Sequence, residues 1–394
     1  MVPPSEGEIA VVGLGRSGIA ATKLLRSRGY TVYCCDDGAS RKLADVAAQL
    51  GSAGAAVQTG GHDPERIGRA RLVVVSPGVP PDAAPLVAAT DAAREIVSEI
   101  EIALRLAPAL RYVAITGTNG KTTTTALVGH IFRALGLDAS DAGNIGTPLT
   151  EIVAAPKLPD WVSLELSSFQ LHDTPSVAPD VGVLTNLSPD HLDRYASVGD
   201  YFADKAMLFS NADSSSRWVI NADDPASLAM TSEVQGEHLP FSLREAADGY
   251  YDRVADALVL FGTPLLARSQ LRLLGDHNVA NALAASVAVS SASDDFQTAA
   301  ARDAIARALQ TFRAMPNRLE IVGEWDGIEW INDSKATNVA STLVAVQGMT
   351  RPTILLLGGR HKGEPYTALA APIAEHVKHV IAFEPVEPRL ADFS

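Results

Sequence analysis

Three times along the chain, a short apolar run ends in a glycine-rich turn. The turns begin at Gly13, Gly117 and Gly358. A glycine turn at the carboxyl end of a parallel strand is typical of phosphate-binding α/β domains. We therefore predict one α/β domain for each turn, which agrees with the two or three domains that 394 residues can form.

Between these turns, β-branched apolar runs alternate with Ala- and Leu-rich segments of helical periodicity. This alternation predicts parallel sheets with helices on both faces. Strands are predicted at residues 9–12, 31–35, 72–75, 112–116, 162–165, 181–184, 219–221, 354–357 and 380–383. Helices are predicted, among others, at residues 17–28, 121–134, 201–209 and 278–289. The predicted domains are a Rossmann-like domain at 1–97, a central domain of the P-loop type at 98–313 and a partial Rossmann-like domain at 314–394.

Composition narrows the class of protein. Hydrophobic residues make up 47% of the chain and charged residues 20%, as in a globular protein. The net charge of −14 argues against nucleic acid and anionic membrane surfaces as partners. Two adjacent cysteines, Cys34 and Cys35, cannot form a disulfide framework and favour a reducing compartment. Because we also find no leader and no apolar run of membrane-spanning length, we expect a cytoplasmic protein.

The first turn has the spacing GxGxxG, with glycines at positions 13, 15 and 18. Asp36 ends the next predicted strand, at the distance expected of a residue that meets a ribose or base. The motif alone leaves three interpretations open: a nucleotide-diphosphate site, a nicotinamide site, and a tight turn without a ligand.

The second turn, from Gly117 to Thr123, is more specific. Its backbone N–H groups can cradle phosphates, Lys121 can neutralise them, and the Thr122 hydroxyl can bind Mg²⁺. Ile115 occupies the place of the first glycine in the common form of this loop. The turn therefore predicts a nucleoside triphosphate site.

Polar residues follow the neighbouring predicted strands. Glu165 ends an apolar strand, where a carboxylate is costly unless it binds a cation, so we predict a Mg²⁺ ligand. For His191 a metal role and a structural role stay open, and Lys205 alone would be a surface lysine of a helix. Asn278 either caps a helix or faces a nucleotide, and the polar segment 332–338 suits a nucleotide or substrate loop.

Together these segments resemble the Mur ligases of peptidoglycan synthesis, and among them the D-glutamate-adding type. The resemblance extends from about Glu8 to the last residues. It rests on residues 117–123, 144–146, 165–171, 190–194, 275–281 and 332–338, which occur in the family's order. Residues 13–18 and 76–80 favour the D-glutamate-adding type.

The resemblance implies an ATP-dependent amide ligase. ATP would phosphorylate the L-alanyl carboxylate of UDP-N-acetylmuramoyl-L-alanine, and the amine of D-glutamate would attack the acyl phosphate. The implied cofactors are ATP and two Mg²⁺ ions, with a carbamylated lysine at Lys205. A binder of ATP and UDP-muramoyl precursor without catalysis is the alternative, and a nicotinamide-dependent dehydrogenase is less favoured because it leaves Lys121 and Glu165 without a role.

The resemblance also assigns site residues. Those for ATP are Gly117, Thr118, Asn119, Gly120, Lys121, Thr122, Thr123, Asn278, Arg318 and Asp333. Those for metal are Thr122, Glu165, His191 and Lys205. Those for the UDP-muramoyl substrate and D-glutamate are Leu14, Ser17, Asp36, Asp37, Ser76, Asn144, Ser167, His191, Lys335, Thr337 and Lys362. The catalytic residues implied are Lys121, Asn144, His191 and Lys205.

The chain departs from the family pattern at two places. Asn317 stands where many members have histidine before the arginine, and the sequence stops at Ser394 before the Ser/Phe-rich loop that holds D-glutamate. We therefore expect the chain to bind ATP and the UDP-linked substrate but to ligate D-glutamate poorly. We also expect a monomer.

Overall fold

The computed structural model describes residues 6–192, 194–359 and 365–383. The chain forms two compact units. The first comprises Met1–Thr116, Leu137–Asp180 and Ala203–Ser216, and the second comprises Gly117–Gly136, Val181–Phe202 and Arg217–Ser394.

Helices and strands alternate through most of the chain. Up to residue 106 they are β1 (Glu8–Val12), α1 (Arg16–Ser27), β2 (Thr31–Asp36), α2 (Arg41–Ser52), β3 (Ala56–Thr59), α3 (Pro64–Arg69), β4 (Leu72–Val75), α4 (Ala84–Asp91), β5 (Ile96–Ser98) and α5 (Glu99–Leu106). Up to residue 206 they are β6 (Tyr112–Thr116), α6 (Lys121–Ala134), β7 (Ala139–Gly143), α7 (Leu149–Val153), β8 (Trp161–Glu165), α8 (Ser168–His172), β9 (Val181–Leu184) and α9 (Val198–Ala206). The remaining elements are β10 (Arg217–Asn221), α10 (Pro225–Thr231), β11 (Glu237–Ser242), β12 (Gly249–Asp252), β13 (Ala257–Leu260), β14 (Thr263–Ala267), α11 (Asp276–Ala292), α12 (Ala299–Thr311), β15 (Glu320–Trp325), β16 (Ile328–Asn332), α13 (Val339–Gln347), β17 (Thr353–Gly358), α14 (Ala370–His376) and β18 (Val377–Phe383).

In the first unit, five strands form a parallel sheet in the order β3-β2-β1-β4-β5. Alternate residues of a strand point to opposite faces, and both faces of this sheet are apolar. Ile9 and Val11 face a cluster completed by α1, α2 and α5, whereas Ala10 and Val12 face a cluster completed by α3 and α4. The predicted parallel sheet with helices on both faces is therefore confirmed here.

The two cysteines lie next to each other in β2, one in each of these core clusters. Both are buried free thiols, and burial raises the pKa of the Cys34 thiol to about 11. Because a protonated thiol is a poor nucleophile, the cysteines contribute packing.

Three further strands of the first unit, β6, β8 and β7, are parallel and hydrogen-bonded side by side. The last residues of β7 and β8, Gly143 and Glu165, are direct partners in this ladder. The Thr116 hydroxyl at the end of β6 donates to the Leu166 carbonyl at 2.8 Å. The polar residues that follow these strands therefore lie at one edge of the sheet.

In the second unit, β9, β10, β11 and β12 are parallel, and β13 and β14 continue the sheet antiparallel. Helix α11 packs against α6 and against strands of this sheet. Almost every residue of α11 is buried, because its small side chains allow close approach on all sides. Further along the chain, β15 and β16 form an antiparallel pair and β17 and β18 a parallel pair.

Three strand pairs depart from the predicted parallel arrangement, β12–β13, β13–β14 and β15–β16, and the last two are joined by two-residue turns. Phe261 and Gly262 join β13 to β14, and Asp326 and Gly327 join β15 to β16; all four have φ between 46° and 76°. Positive φ at both central residues defines a type I′ turn, whose twist matches that of a hairpin. The Asp-Gly pair between apolar segments is a sequence signal for this turn.

The α/β class and the parallel-dominant sheets agree with the sequence prediction, and the predicted strands 72–75, 112–116 and 181–184 have the observed bounds. The domain boundaries after residues 97 and 313 stay predictions. Among the helices described, none combines the length and the hydropathy needed to cross a bilayer.

We expect Gly18→Ala to lower the free energy of unfolding by about 1–3 kcal/mol, the usual cost of overpacking. A Cβ on Gly18 would overlap the carbonyl oxygen of Gly13 and lie 2.9 Å from Ser76 Oγ. Gly15→Ala is the matched control, because a Cβ there would meet nothing within 4 Å and the φ of Gly15 is −72°. Denaturant unfolding of both variants measures the difference, and equal stability would contradict the clash.

Candidate functional site

A cavity of about 510 Å³ lies in the first unit, where β1, β2 and β4 end. The turn after β1, the residues after β2 and β4 and the loop after β7 form its walls. Of the residues predicted to bind substrate, this cavity brings together Ser17, Asp36, Asp37, Ser76 and Asn144. The carboxyl ends of parallel strands beside a glycine turn are the usual place for a nucleotide.

Hydrogen bonds from neighbouring strands hold the glycine turn. Asp36 Oδ2 accepts the backbone N–H of Leu14 at 2.7 Å, and its Oδ1 accepts that of Gly38 at 2.9 Å. The Ser76 hydroxyl donates to the Gly13 carbonyl at 2.8 Å. Asp36 and Ser76 therefore shape the turn as well as line the cavity.

The structure corrects the prediction for Leu14. Its side chain is 4% exposed and belongs to the core cluster that contains Ile9 and Val11. The turn begins at Gly13 with a φ of +88°, and burial of the apolar Leu14 side chain leaves the next long side chain, Arg16, in the cavity wall. The Leu14 side chain thus packs in the core and does not contact the substrate. Only its backbone N–H bonds a site residue, Asp36.

Three polar residues of the cavity wall, Arg16, His62 and Gln170, were given no role from the sequence. His62 follows β3, and Gln170 lies in α8 within the singled-out segment 165–171, but neither is linked to the turn by its spacing from residue 13. Ser167, predicted to contact substrate, is the N-cap of α8: its Oγ accepts the Gln170 N–H, and Gln170 Oε1 accepts the Ser167 N–H at 3.0 Å. Ser167 thus holds Gln170 in the cavity wall.

Asn144 connects the cavity to a buried carboxylate. Its side-chain amide donates to Glu165 Oε1 at 2.8 Å, and its backbone N–H donates to the Glu165 carbonyl at 3.0 Å. Glu165 is 1% exposed, and its Oε2 is buried without a hydrogen-bond partner in the described ranges. An ionised carboxylate that is buried with one oxygen lacking a hydrogen bond is costly unless a cation binds it. Glu165 Oε2 is therefore suited to bind a divalent cation.

The structure brings together no group of three or more His, Cys, Asp or Glu side chains that could hold a metal, counting only the residues it describes. Mg²⁺ commonly takes one or two carboxylates and completes its shell with water and substrate phosphates. A single carboxylate such as Glu165 is therefore compatible with Mg²⁺ and does not fit a metal that requires an all-protein cage.

Lys205 lies in α9 and is 1% exposed, so the interpretation of a surface lysine is wrong. Its neighbour Asp204 is hydrogen-bonded to His172 Nδ1 at 2.8 Å, and this bond raises the pKa of His172. The pair joins α9 to α8. Full burial is rare for an ammonium group, because it must be paired or modified to offset the loss of water.

In the second unit, the turn before α6 has the conformation that a phosphate loop needs. Gly117 and Gly120 have φ of +143° and +84°, and Cβ atoms there would collide with Thr185 Oγ1 and Asn281 Oδ1. Lys121 begins α6, a helix of 14 residues, and its Nζ donates to the carbonyls of Gly117 and Thr118 at 2.9 and 2.8 Å. The lysine, the loop backbone and the helix N-terminus thus provide positive potential together.

Hydrogen bonds from a side chain and a backbone N–H of the turn anchor it to the loop after β9. The Thr118 hydroxyl donates to the Ser188 carbonyl at 2.9 Å, and the Asn119 N–H donates to Asn186 Oδ1 at 3.0 Å. Thr122 and Thr123 follow in the first turn of α6, and both are buried. These bonds hold the turn in this conformation.

His191 has a φ of +56°, the left-handed region that few non-glycine residues occupy. Its backbone N–H donates to Asp190 Oδ1 at 2.8 Å. Its ring packs edge-on against Tyr201 with 6.0 Å between centroids. Strained backbone of this kind concentrates at functional sites, which favours the site interpretation of His191.

Residues of the C-terminal part contact this loop region. Arg318 Nη2 donates to Thr122 Oγ1 at 3.0 Å, which brings the predicted ATP residues Arg318 and Thr122 together. Asp333 Oδ1 accepts the Leu319 N–H at 3.1 Å, and burial raises the pKa of Asp333.

The other predicted ATP and substrate residues make no bond to the phosphate-type turn among the described residues. Asn278 lies inside the first turn of α11, where its amide donates to the Leu274 carbonyl at 2.8 Å, so it is not the helix cap. Lys335 and Thr337 are exposed, and Lys362 lies outside the described residues.

Two hydrogen bonds join the start of α13 to segments singled out in the sequence, and of the residues that form them only Ser341 lies outside those segments. Asn338 caps α13, and its amide donates to Asp190 Oδ2 at 3.0 Å. Ser341 Oγ donates to Asn119 Oδ1 at 2.9 Å. The start of α13 is thereby bonded both to the ATP-type turn and to the loop that carries His191.

Comparison with known families gives two matches that together cover most of the chain. The model of the Mur ligase MurD-like N-terminal domain matches residues 7–98, and that of the Mur ligase middle domain matches residues 115–289. A UDP-N-acetylmuramoylalanine–D-glutamate ligase from Geotalea uraniireducens is 39% identical over 98% of this chain and 84% of that protein. The ligase of the same name from Citrifermentans bemidjiense is 37% identical over 97% of this chain and 84% of that protein.

Solved structures show the same fold at lower identity. The UDP-N-acetylmuramate–alanine ligase MurC from Thermotoga maritima has a TM-score of 0.59 at 21% identity, over 96% of this chain and 85% of that one. MurF from Acinetobacter baumannii has a TM-score of 0.60 at 16% identity, over 94% of this chain and 80% of that one.

Proposed function

The chain belongs to the Mur ligase family, and from this premise we propose that it joins D-glutamate to UDP-N-acetylmuramoyl-L-alanine in peptidoglycan precursor synthesis. The family is ATP-dependent. The nucleotide-type cavity after β1 and the phosphate-type loop after β6 provide the two kinds of anion-binding structure that such a reaction requires.

The observation that carries the proposal is the bond between Asn144 and Glu165. Asn144 lines the cavity, and Glu165 is a buried carboxylate with one oxygen left for a cation. Phosphoryl transfer between two anions needs cations close to the reacting oxygens. A substrate held beside Asn144 would thus lie close to a cation held by Glu165.

The proposed reaction has two steps. A carboxylate oxygen of the L-alanyl group attacks the γ-phosphorus of ATP, which forms an acyl phosphate and releases ADP. The amine of D-glutamate then attacks the carbonyl carbon, and the tetrahedral intermediate loses inorganic phosphate and a proton to give the amide.

The residues of this chain have distinct roles in that reaction. Lys121 and the turn at residues 117–123 bind and neutralise the phosphates of ATP, and Arg318, Asp333 and Asn278 support the nucleotide. Ser17, Asp37, Ser76, Asn144 and Ser167 serve the UDP-muramoyl substrate, directly or through Gln170. Lys335, Thr337 and Lys362 meet the incoming glutamate or the reacting phosphate.

Mg²⁺, when bound, neutralises charge on the transferring phosphoryl group. We propose two Mg²⁺ sites, as the family resemblance implies: Thr122 and Glu165 hold one ion, and His191 and a carbamylated Lys205 serve the second. Carbamylation would replace an ammonium by an anion that can bind metal, which suits a lysine that is 1% exposed. We also propose that the protein acts as a cytoplasmic monomer with domain boundaries after residues 97 and 313.

Phosphate release tests the proposal directly. With ATP, Mg²⁺ and UDP-N-acetylmuramoyl-L-alanine, we expect D-glutamate to support phosphate release about tenfold or more faster than L-glutamate, because buried polar groups left unpaired penalise the wrong isomer. The full chain is used, with L-alanine, L-lysine and meso-diaminopimelate as further acceptors.

Each other outcome of this assay has a defined meaning. A preference for meso-diaminopimelate or L-lysine would contradict the assignment of the acceptor. Binding of ATP and UDP without phosphate release would favour the binder that lacks catalysis. Reduction of NAD⁺ with none of these activities would support the dehydrogenase interpretation instead.

A further inference from the structure

We propose that Arg16 is a substrate-binding residue whose guanidinium neutralises the diphosphate of the UDP-linked substrate. The inference rests on the proposed function of the cavity after β1. The motif at residues 13–18 assigns no role to this position.

The charges of the cavity wall point to Arg16. Among the residues that the structure describes, the wall contains two carboxylates, Asp36 and Asp37, and one arginine or lysine, Arg16. The whole chain has a net charge of −14, so the surroundings do not attract an anion. A diphosphate can enter such a cavity only if local groups offset its charge. The backbone N–H groups of the turn supply partial charges, and Arg16 supplies a full one.

The position of Arg16 suits this role. It is the first residue of α1, a helix of twelve residues, directly after Gly15. Its side chain is exposed. A guanidinium can donate two parallel N–H bonds to phosphate oxygens, and the helix N-terminus adds to the same field.

Arg26 and Arg66, two other arginines of the same domain, are engaged in the fold. Arg26 donates to the carbonyl of Ala53. Arg66 forms a bidentate ion pair with Glu8, in which Nε and Nη2 each donate to a carboxylate oxygen at 2.8 Å. Arg16 has no hydrogen bond or ion pair within the described part of the chain. Asp36 already accepts two backbone N–H groups. The free guanidinium at the cavity wall is therefore available to a ligand.

The test uses the full chain and two probes, UDP and uridine. Arg16→Leu keeps the apolar stem and removes the charge, and we expect it to weaken UDP binding about tenfold or more, the usual size of a charge-assisted bond. Uridine binding should be unchanged because uridine carries no phosphate. Arg16→Lys should lie between wild type and Arg16→Leu. Calorimetry measures UDP, and ligand-detected NMR measures the weaker uridine.

Arg28→Leu is the matched control, since Arg28 is exposed at the opposite end of α1 and its loss changes the net charge equally. It should leave UDP binding unchanged, and only wild type and Arg28→Leu should lose UDP affinity steeply as salt rises. If Arg16→Leu lost the same affinity for UDP and for uridine, Arg16 would shape the cavity and not bind the diphosphate. If UDP binding were unchanged, Arg16 would have no role in it. Either result overturns the inference. Failure of the wild type to bind UDP would overturn the proposed cavity function as well.

Discussion

Lys121→Ala is expected to reduce ATP turnover at least about a hundredfold while the chain stays folded, because removing one preorganised electrostatic group from a transition state costs this much. The Lys121 ammonium lies at the start of α6 and donates to two carbonyls of its own turn. Those two bonds are local, and their loss should change the free energy of unfolding by only about 1 kcal/mol. ADP release measures turnover, and circular dichroism with denaturant unfolding measures folding.

Lys23→Ala is the control for this experiment. Lys23 is an exposed lysine of α1, so its removal changes the net charge equally and leaves the phosphate loop untouched. Turnover by Lys121→Ala within a few-fold of that of Lys23→Ala would refute the assignment of the ATP loop.

Lys205→Ala is expected to be nearly inactive and to regain part of its activity in acetate. A carbamate on Lys205 would be an anion, and acetate can occupy the space left by the shortened side chain and restore the negative charge. Truncating this side chain, which is 1% exposed, should also lower the free energy of unfolding by about 1–3 kcal/mol. The ligase rate in acetate, compared with chloride at the same ionic strength, separates the two effects.

Lys205→Arg is the control that tests the charge at this position. Lys205→Arg keeps a cation that cannot be carbamylated, so it should be as inactive as Lys205→Ala and acetate should not rescue it. Full activity of Lys205→Arg would rule out an anionic role at this position. An equal rate of Lys205→Ala in acetate and in chloride would show that no carbamate-like carboxylate is needed there.

Local signals account for what could be predicted from the sequence. Strand ends next to Gly13 and Gly117 were predictable because each glycine turn and the adjacent helix lie within a few residues of each other. The buried Glu165 was predictable for a similar reason, since an acid after an apolar strand needs a cation or a partner. The two-residue turn at Asp326 and Gly327 was equally readable, because its residue types favour positive φ.

The rest depended on contacts between distant segments or on the direction of one side chain. Leu14 and Arg16 are two residues apart in the same motif, and only the backbone path after Gly13 decides which of them lines the cavity. His62 and Gln170 reach the cavity from β3 and α8, and no motif connects those segments to residue 13. The burial of Lys205 likewise follows from how α9 packs and not from its own sequence.

The hairpin of β15 and β16 gives the chain a useful optical property. The chain has four tryptophans. Trp161 and Trp218 are 1% and 2% exposed. Trp325 and Trp330, both in the hairpin, are 58% and 47% exposed and pack edge-to-face. We expect emission from the first pair to report on the interior of the sheets. We expect emission from the second pair to be red-shifted and to be quenched by collision with an agent such as iodide. Intrinsic fluorescence can therefore follow the hairpin and the interior separately in one unlabelled sample.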